Sequence, residues 1–453
     1  MDVTSSFTAL LAEFRSVFTA PTFLIFVQLM TGWVLSHRRR FITELILASG
    51  SVDKGHHSRY HRFFSKAAWL LESFSCILAN VLITAFVPEG VILLAVDDTL
   101  CRKRGLTVYG TGMHHDPLIS SRGMALVSWG HDWVVLCLII RAPVWSPTKV
   151  WSLPICFRMY RNRQGLTKGK RASTAKKPKK DPNHRTRPEL AVEMIQAVSQ
   201  WFPDRAFMVT GDSAYGGASV LQKLPSNVDL ISHVHPKGAL YKPAPAPRKG
   251  QKGPRRKKGA RLPTMEAWAK SKQPWDTLKF DQFGLHATLL VKTRQALYYK
   301  AGKDRLLNII LVRDAKGKRP DQMFYCTCLD WNTRRILSAY ACRWSIEVTF
   351  ENCKQLLGFG DPANRKQKAV KRTAPMALVA YSLVVLWFHR HGHRNVEFPN
   401  RPWYTQKQEP SFADMLTTLR ALSWRAKFRT LLPNCTRRNK VIKQMIEFAA
   451  RAA

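Results

Sequence analysis

Three acidic positions, and one run in the last third of the chain, have the residue types and spacing for chemistry on phosphate. Asp97 and Asp98 end the apolar run at residues 91–96 (VILLAV), with Thr99 behind them. Asp212 ends a later strand-like run, in VTGDSAYGG, where Gly211, Gly216 and Gly217 permit tight turns and close backbone approach. Carboxylates at strand ends of an α/β sheet lie where ligands usually bind, although a single aspartate there more often only caps a turn. The run at 340–357, YACRWSIEVTFENCKQLL, is more specific. On one helix advancing about 100° per residue, with Tyr340 at zero, Arg343 falls at about −60°, Lys354 at about −40° and Glu347 at about −20°. A neighbouring stripe of Ile346, Phe350, Cys353 and Leu357 would anchor that helix on a sheet. The plain alternative is an amphipathic helix carrying an Arg343–Glu347 pair. Tyr, Arg, Glu and Lys on one half-sheltered face nevertheless suit phosphate and metal. Glu351, near about +20° on the same helix, competes with Glu347.

The elements that must position these groups follow from the hydrophobic pattern. The continuous run at 91–96 predicts a central strand buried on both faces. Further strands are expected at 124–129, 133–140, 150–158, 205–210 and 228–234. A helix is expected at 188–202, with Pro188 in its first turn and Glu189 at its positive end, and a short one from Ala218. Strands first, then alternating helix and strand, give a mixed α/β sheet. Residues 1–90 look helical, with Phe23, Phe26, Leu29 and Trp33 at helical spacing. They carry two basic clusters, one with Arg38, Arg39 and Arg40, the other with Arg59 and Arg62 among Tyr60, Phe63 and Phe64. These clusters predict a small helical DNA-binding domain. Residues 161–187 and 237–261 are basic loops, the latter with Arg255, Arg256, Lys257 and Lys258, expected to be mobile until they close on a polyanion. Strand-like runs at 280–324 suggest a β-rich insertion, and the chain beyond about 360 reads as helical and basic. The apolar stretches at 68–96 and 376–388 read as core, since the first contains charges and the second is shorter than the roughly 20 residues a bilayer needs. No internal repeat is evident.

The charge balance narrows the partner. The 453 residues carry 72 Lys and Arg against 30 Asp and Glu, a formal net charge of +42. So basic a surface repels itself unless a polyanion neutralises it, and phosphate neutralisation with counterion release makes nucleic acid the favoured partner over a ribosomal or membrane surface. The 9 cysteines form no paired C-x-x-C frame, so structural zinc is not expected. Their odd number and the lack of a secretory leader suggest a reducing cytosol.

The spacing Y-x2-R-x3-E-x6-K at Tyr340, Arg343, Glu347 and Lys354 resembles the signature of bacterial insertion-sequence transposases with a DDE catalytic triad. The DDT at 97–99 and the GDSAYGG at 211–217 resemble that family's first and second acidic motifs, so the likeness runs from about 90 to 360. It implies an RNase H-like mixed-sheet core with a β-rich insertion, flanked by helical N- and C-terminal regions. The expected organisation is a helical DNA-binding domain at 1–90, the first part of the core at 91–235, a basic loop and insertion at 236–330, the helix of the catalytic glutamate at 331–360 and a helical basic region at 361–453. The resemblance assigns Asp98, Asp212 and Glu347 as catalytic ligands of two Mg²⁺ (or Mn²⁺) ions. Asp97 remains the alternative to Asp98, because strand neighbours point to opposite faces. Tyr340, Arg343 and Lys354 would grip phosphate. Trp268 and Trp275 would either stack on an unpaired base or pack the insertion. The implied activity is metal-dependent cleavage of double-stranded DNA at element ends and 3′-OH transfer into target DNA, by a homodimer on DNA, without organic cofactor or membrane, at the bacterial nucleoid. Rival readings are an inactive, transposase-derived DNA-binding protein, an RNase H-like nuclease without strand transfer, and a structural RNA-binding protein.

Overall fold

The computed structural model describes residues 4–121, 123–162, 184–246, 254–282, 285–398, 406–431 and 440–451. Most of the basic stretch at 161–187 and the middle of that at 237–261 lie outside these residues, as do the expectations attached to them.

Ten strands form one mixed sheet: β1 Ile92–Arg102, β2 Gly112–His115, β3 Val127–Arg141, β4 Val150–Tyr160, β5 Phe207–Gly211, β6 Val228–His233, β7 Asp276–Gln282, β8 Leu285–Leu297, β9 Leu306–Asp314 and β10 Gln322–Cys326. β4, β3, β1, β5 and β6 lie side by side; β3 runs antiparallel to β1 and β4, while β1, β5 and β6 are parallel. With the Arg187–Trp201 helix connecting β4 to β5, this is an RNase H-like core. The parallel crossover is nucleated locally: Thr186 and Glu189 form a reciprocal capping box at the helix start. Ile92, Leu93, Leu94, Ala95 and Val96 are all buried, as a central strand flanked by layers requires.

One feature differs from the sequence reading, and two others go beyond it. β1 does not stop at Asp97 and Asp98 but continues to Arg102, because β3 pairs with it from Leu94 through Arg102. The acids therefore stand within the strand. The β-rich insertion belongs to the core sheet: β10 pairs with β6, and β9, β8 and β7 extend that sheet outward. Backbone ladders left open at β6 are completed by the later strands. The N-terminal helices share one hydrophobic core with the sheet and the C-terminal helices. The Trp33 indole N–H donates to the Leu357 carbonyl at 2.9 Å, and Trp387 donates to Ser6 Oγ at 3.0 Å.

The helix Pro375–Arg390 lies at the centre of that core, with residues 375–388 all buried. The stretch Gln367–Arg390 is long and apolar enough to cross a membrane, but 94% of its most apolar window is buried inside the protein.

Candidate active site

β1 carries Asp97 and Asp98, Asp212 follows β5, and a helix carries Glu347, which is joined to Asp97 through Arg343. Asp97 and Asp98 stand on neighbouring positions of β1, opposite Val135 and Val134 of β3. Asp212 follows the last residue of β5, where its Oδ1 accepts from the Ala214 N–H at 2.9 Å and turns the chain. Its carbonyl accepts from Ser232 Oγ at 2.7 Å, tying the turn to β6. A side chain at Gly216 would collide with Ser232 Oγ, its Cβ lying 2.3 Å away, which is why the turn needs glycine there.

The signature run is not one helix. Thr333–Ala341 ends at a 3₁₀ turn, Cys342–Trp344, before Ser345–Leu356 resumes. The interruption has local causes: Ser345 Oγ donates to the Cys342 carbonyl at 2.8 Å, and Cys342 Sγ to the Ser338 carbonyl at 3.2 Å. The second helix is held to the sheet by Thr349 Oγ1 donating to the Ser152 carbonyl at 2.8 Å, and by buried Ile346, Phe350 and Cys353.

Alternation along β1 divides the two aspartates. Asp97 Oδ2 accepts from Arg343 Nη1 at 2.6 Å, and Arg343 Nη2 reaches Glu347 Oε1 at 3.3 Å. Arg343 thus joins Asp97 to Glu347. Asp98 turns elsewhere: its Oδ1 accepts from the Tyr215 hydroxyl at 2.7 Å, and its Oδ2 pairs with Arg187 Nε at 3.3 Å. Arg187 also pairs with buried Asp132 and lies over the Tyr160 ring. The aspartate joined to Glu347 is therefore Asp97, the alternative to the one expected.

Both acids hold their protons unusually tightly. Burial pushes Asp97 up to about 7, aided by Asp98 and Asp212 and opposed by Arg343. Burial, Asp132 and Asp212 push Asp98 up to about 6, against Arg187 and the Tyr215 hydroxyl. Tyr340 packs edge-on against His233 and Phe324, with ring centroids 5.0 and 4.8 Å away. Burial pushes its hydroxyl up to about 12, so it remains a proton donor at neutral pH. Lys354 lies about two turns beyond Glu347. It is half-buried, and its charge is felt by Cys101 and Asp132 rather than by Asp97. Glu351 is exposed and pairs with Gln355 at 3.0 Å.

The basic and aromatic residues fall into two groups. Arg38, Arg39, Arg59, Arg62, Arg255, Arg256 and Lys257 are exposed, and half-buried Lys258 sits 4.0 Å over the Tyr241 ring. Arg40 is a correction: it is only 5% exposed and donates to the carbonyls of Trp33, Arg38 and Leu356. A guanidinium so committed is a clamp between the N-terminal helices and the Glu347 helix, not a phosphate ligand. Trp268 is buried under Arg294, and Trp275 is covered by Lys292 and Arg313, so both rings pack the insertion.

Sequence reasoning missed the polar cluster beside Asp98. Asp132 falls between the strands expected at 124–129 and 133–140, Arg187 at the end of a basic loop, Tyr215 in the GDSAYGG turn, and His114 in no expected element. The acid in WGHDWVVL, breaking an otherwise apolar strand, was the available signal.

The donor set fits hard divalent cations, being carboxylate oxygens in a partly dehydrated setting, where burial raises the pKa values of Asp97 and Asp98. Among the described residues no three metal-ligating side chains are yet drawn together, and Arg343 stands between Asp97 and Glu347. Fold and site together define an RNase H-like protein of the nuclease type. Residues 13–300 match the family described as DDE superfamily endonuclease, and the chain belongs to that family. The match includes both aspartate strands and ends before the Glu347 helix. Nucleases of this superfamily generally use divalent metal ions and act on DNA. No curated protein matches the chain.

Proposed function

We propose that this protein is a DNA transposase of the Y-x2-R-x3-E-x6-K branch, with Asp97, Asp212 and Glu347 as its three catalytic carboxylates. The carrying observation is the chain Asp97–Arg343–Glu347 beside Asp212, which links strand and helix through the family-type arginine. Asp97, Asp212 and Glu347 would hold two Mg²⁺ (or Mn²⁺) ions, whose chemistry is to activate an attacking oxygen and stabilise the leaving one. Arg343 is suited to grip a phosphate in two-point fashion once released from the carboxylates. Tyr340 donates a hydrogen bond beside it, and Lys354 meets the backbone further along. Asp98, held by Arg187 and Tyr215, positions the strand. Water opens a phosphodiester at the element end, leaving a 3′-OH and a 5′-phosphate. The 3′-OH then attacks a target phosphodiester and displaces its 3′-oxygen. Coordinated cutting of two ends calls for a homodimer on DNA.

The test is nicking of a supercoiled plasmid carrying the gene and its flanks, with Mn²⁺, Mg²⁺ or chelator, for wild type and Glu347→Gln. Metal-dependent cuts at the flanks, absent in the variant, are expected. Joined products separate a transposase from a nuclease that only cuts. DNA binding without cutting in any metal would overturn the catalytic reading.

A further inference from the structure

A cleft of about 1020 Å³ opens beside β4, walled by the loop at 109–111, the Arg187–Trp201 helix and the Gln367–Thr373 helix. It shares no residue with the Asp97–Arg343–Glu347 chain. Its rim carries Arg158, Arg161, Arg185, Lys368, Lys371 and Arg372, against a single carboxylate among the described residues, Glu193. Most of these cations are spoken for. Arg158 pairs with Glu72 at 2.5 Å and Arg185 with Glu193 at 3.1 Å, while Arg372 donates to the Ala67 carbonyl at 2.8 Å and Lys368 to the Lys66 carbonyl at 3.2 Å. Arg161 and Lys371 are different. Neither has a carboxylate partner among the described residues, and both stand over the Tyr109 ring, at 5.2 and 6.0 Å. Burial lowers the pKa of Lys371, and the neighbouring Arg161 and Arg158 lower it further.

The floor is aromatic, with Tyr109, Trp133 and Phe157. Trp133 is 1% exposed, and its indole N–H has no acceptor among the described residues. Phe157 is likewise 1% exposed, so the half-buried Tyr109 is the ring that faces the cleft. Two unpaired cations beside a half-buried ring in a roomy cleft are the combination that holds an unpaired nucleotide: a base stacks on the ring while phosphates meet the charges. A duplex keeps its base faces stacked inside and offers this floor only phosphates and base edges.

We infer that this cleft is a separate site for a short single-stranded DNA segment, with a base on Tyr109 and phosphates on Arg161 and Lys371. The site complements the DNA-cutting reading but is tested without it, because binding is read in chelator.

The full chain is titrated into a labelled eight-nucleotide oligothymidine and, separately, a labelled duplex, following anisotropy at several salt concentrations. Arg161→Ala combined with Lys371→Ala should weaken the oligothymidine about tenfold and flatten its log–log salt slope by about 1.4, two charges at roughly 0.7 each. Tyr109→Ala should weaken it by about 5- to 150-fold, the range for losing one base–aromatic stack. The duplex should change by less than about twofold, since its binding draws on the whole basic surface. Unchanged oligothymidine affinity, or an equal loss for the duplex, overturns the single-strand assignment. Thermal unfolding checks that each variant is folded. Photocrosslinking of a 4-thiothymidine oligonucleotide to the wild-type protein provides a readout free of substitutions. Crosslinks at Tyr109 support the site, and crosslinks confined to other regions refute it. Wild-type nicking in Mn²⁺ is scored separately, so failure here leaves the nuclease reading standing.

Discussion

Replacing Asp97 by Asn should make the metal-free protein more stable while destroying its activity. A carboxyl raised from 3.8 to about 7 resists ionisation in the folded state. Ionising it there costs up to about 4 kcal/mol more than in the unfolded chain, at 1.36 kcal/mol per pKa unit. The side chain is 17% exposed, so relaxation and water leave roughly 2–4 kcal/mol of this. The sign follows from proton uptake. Between pH 4 and 7 the folded state binds the extra proton, so stability is full below about 4 and declines as pH rises toward 7. The neutral amide abolishes that decline. At roughly 2.1 cal/mol/K per residue, a chain of 453 residues has an unfolding entropy near 1 kcal/mol/K. Asp97→Asn should then raise the melting temperature by about 2–4 °C at pH 8 in chelator, and by nearly nothing at pH 4. With Mn²⁺ the order should reverse, because only the wild type gains a bound cation. Differential scanning fluorimetry across pH, with and without metal, reads all of this, and plasmid nicking should be lost. A variant less stable than wild type at pH 8, or a difference that ignores pH, would refute the argument that burial outweighs Arg343 at this carboxyl.

Further tests probe neighbouring parts. Asp98→Asn should shift stability in the same direction over a window ending near pH 6, while retaining measurable nicking; complete loss of nicking with activity intact in Asp97→Asn would return the catalytic role to Asp98. Arg343→Ala should cost about 1–3 kcal/mol in chelator and less in Mn²⁺, where the cation takes over the charge of the guanidinium; an equal cost in both media would show that Arg343 does not stand where a cation is needed. Arg40→Ala should cost about 2–5 kcal/mol in chemical denaturation, since three carbonyls lose their donor, and an effect below about 0.5 kcal/mol would argue against the clamp. Duplex affinity should fall by about a thousandfold or more between about 50 and 200 mM salt if six or more phosphates are held, and a flat response would remove the basic surface from DNA binding.

The residue types alone disclosed much of this molecule. The charge of +42 indicated a polyanion partner, because Lys and Arg outnumber acids without reference to folding. The apolar run before Asp97 disclosed a doubly covered strand, and Pro188 with Glu189 marked a helix start, because those signals are local. The helical spacing brought Arg343 and Glu347 within reach of each other, as an i,i+4 pair must be. What the sequence left open were questions of face and partner. Asp97 and Asp98 are adjacent and chemically identical; only the pairing of β1 with β3 and β5, and the layer carrying Glu347, sends one toward Arg343 and the other toward Arg187. Arg38, Arg39 and Arg40 look alike in sequence, yet the packing of the N-terminal helices against Leu356 buries the last and leaves the others in solvent. The later strands joined the core sheet because β6 offered an unpaired edge 89 residues before β10 begins, and such a match between distant edges has no local signature. Periodicity and charge are properties of neighbouring residues, whereas the side of a sheet on which a carboxylate meets its partner is a property of the assembled layers.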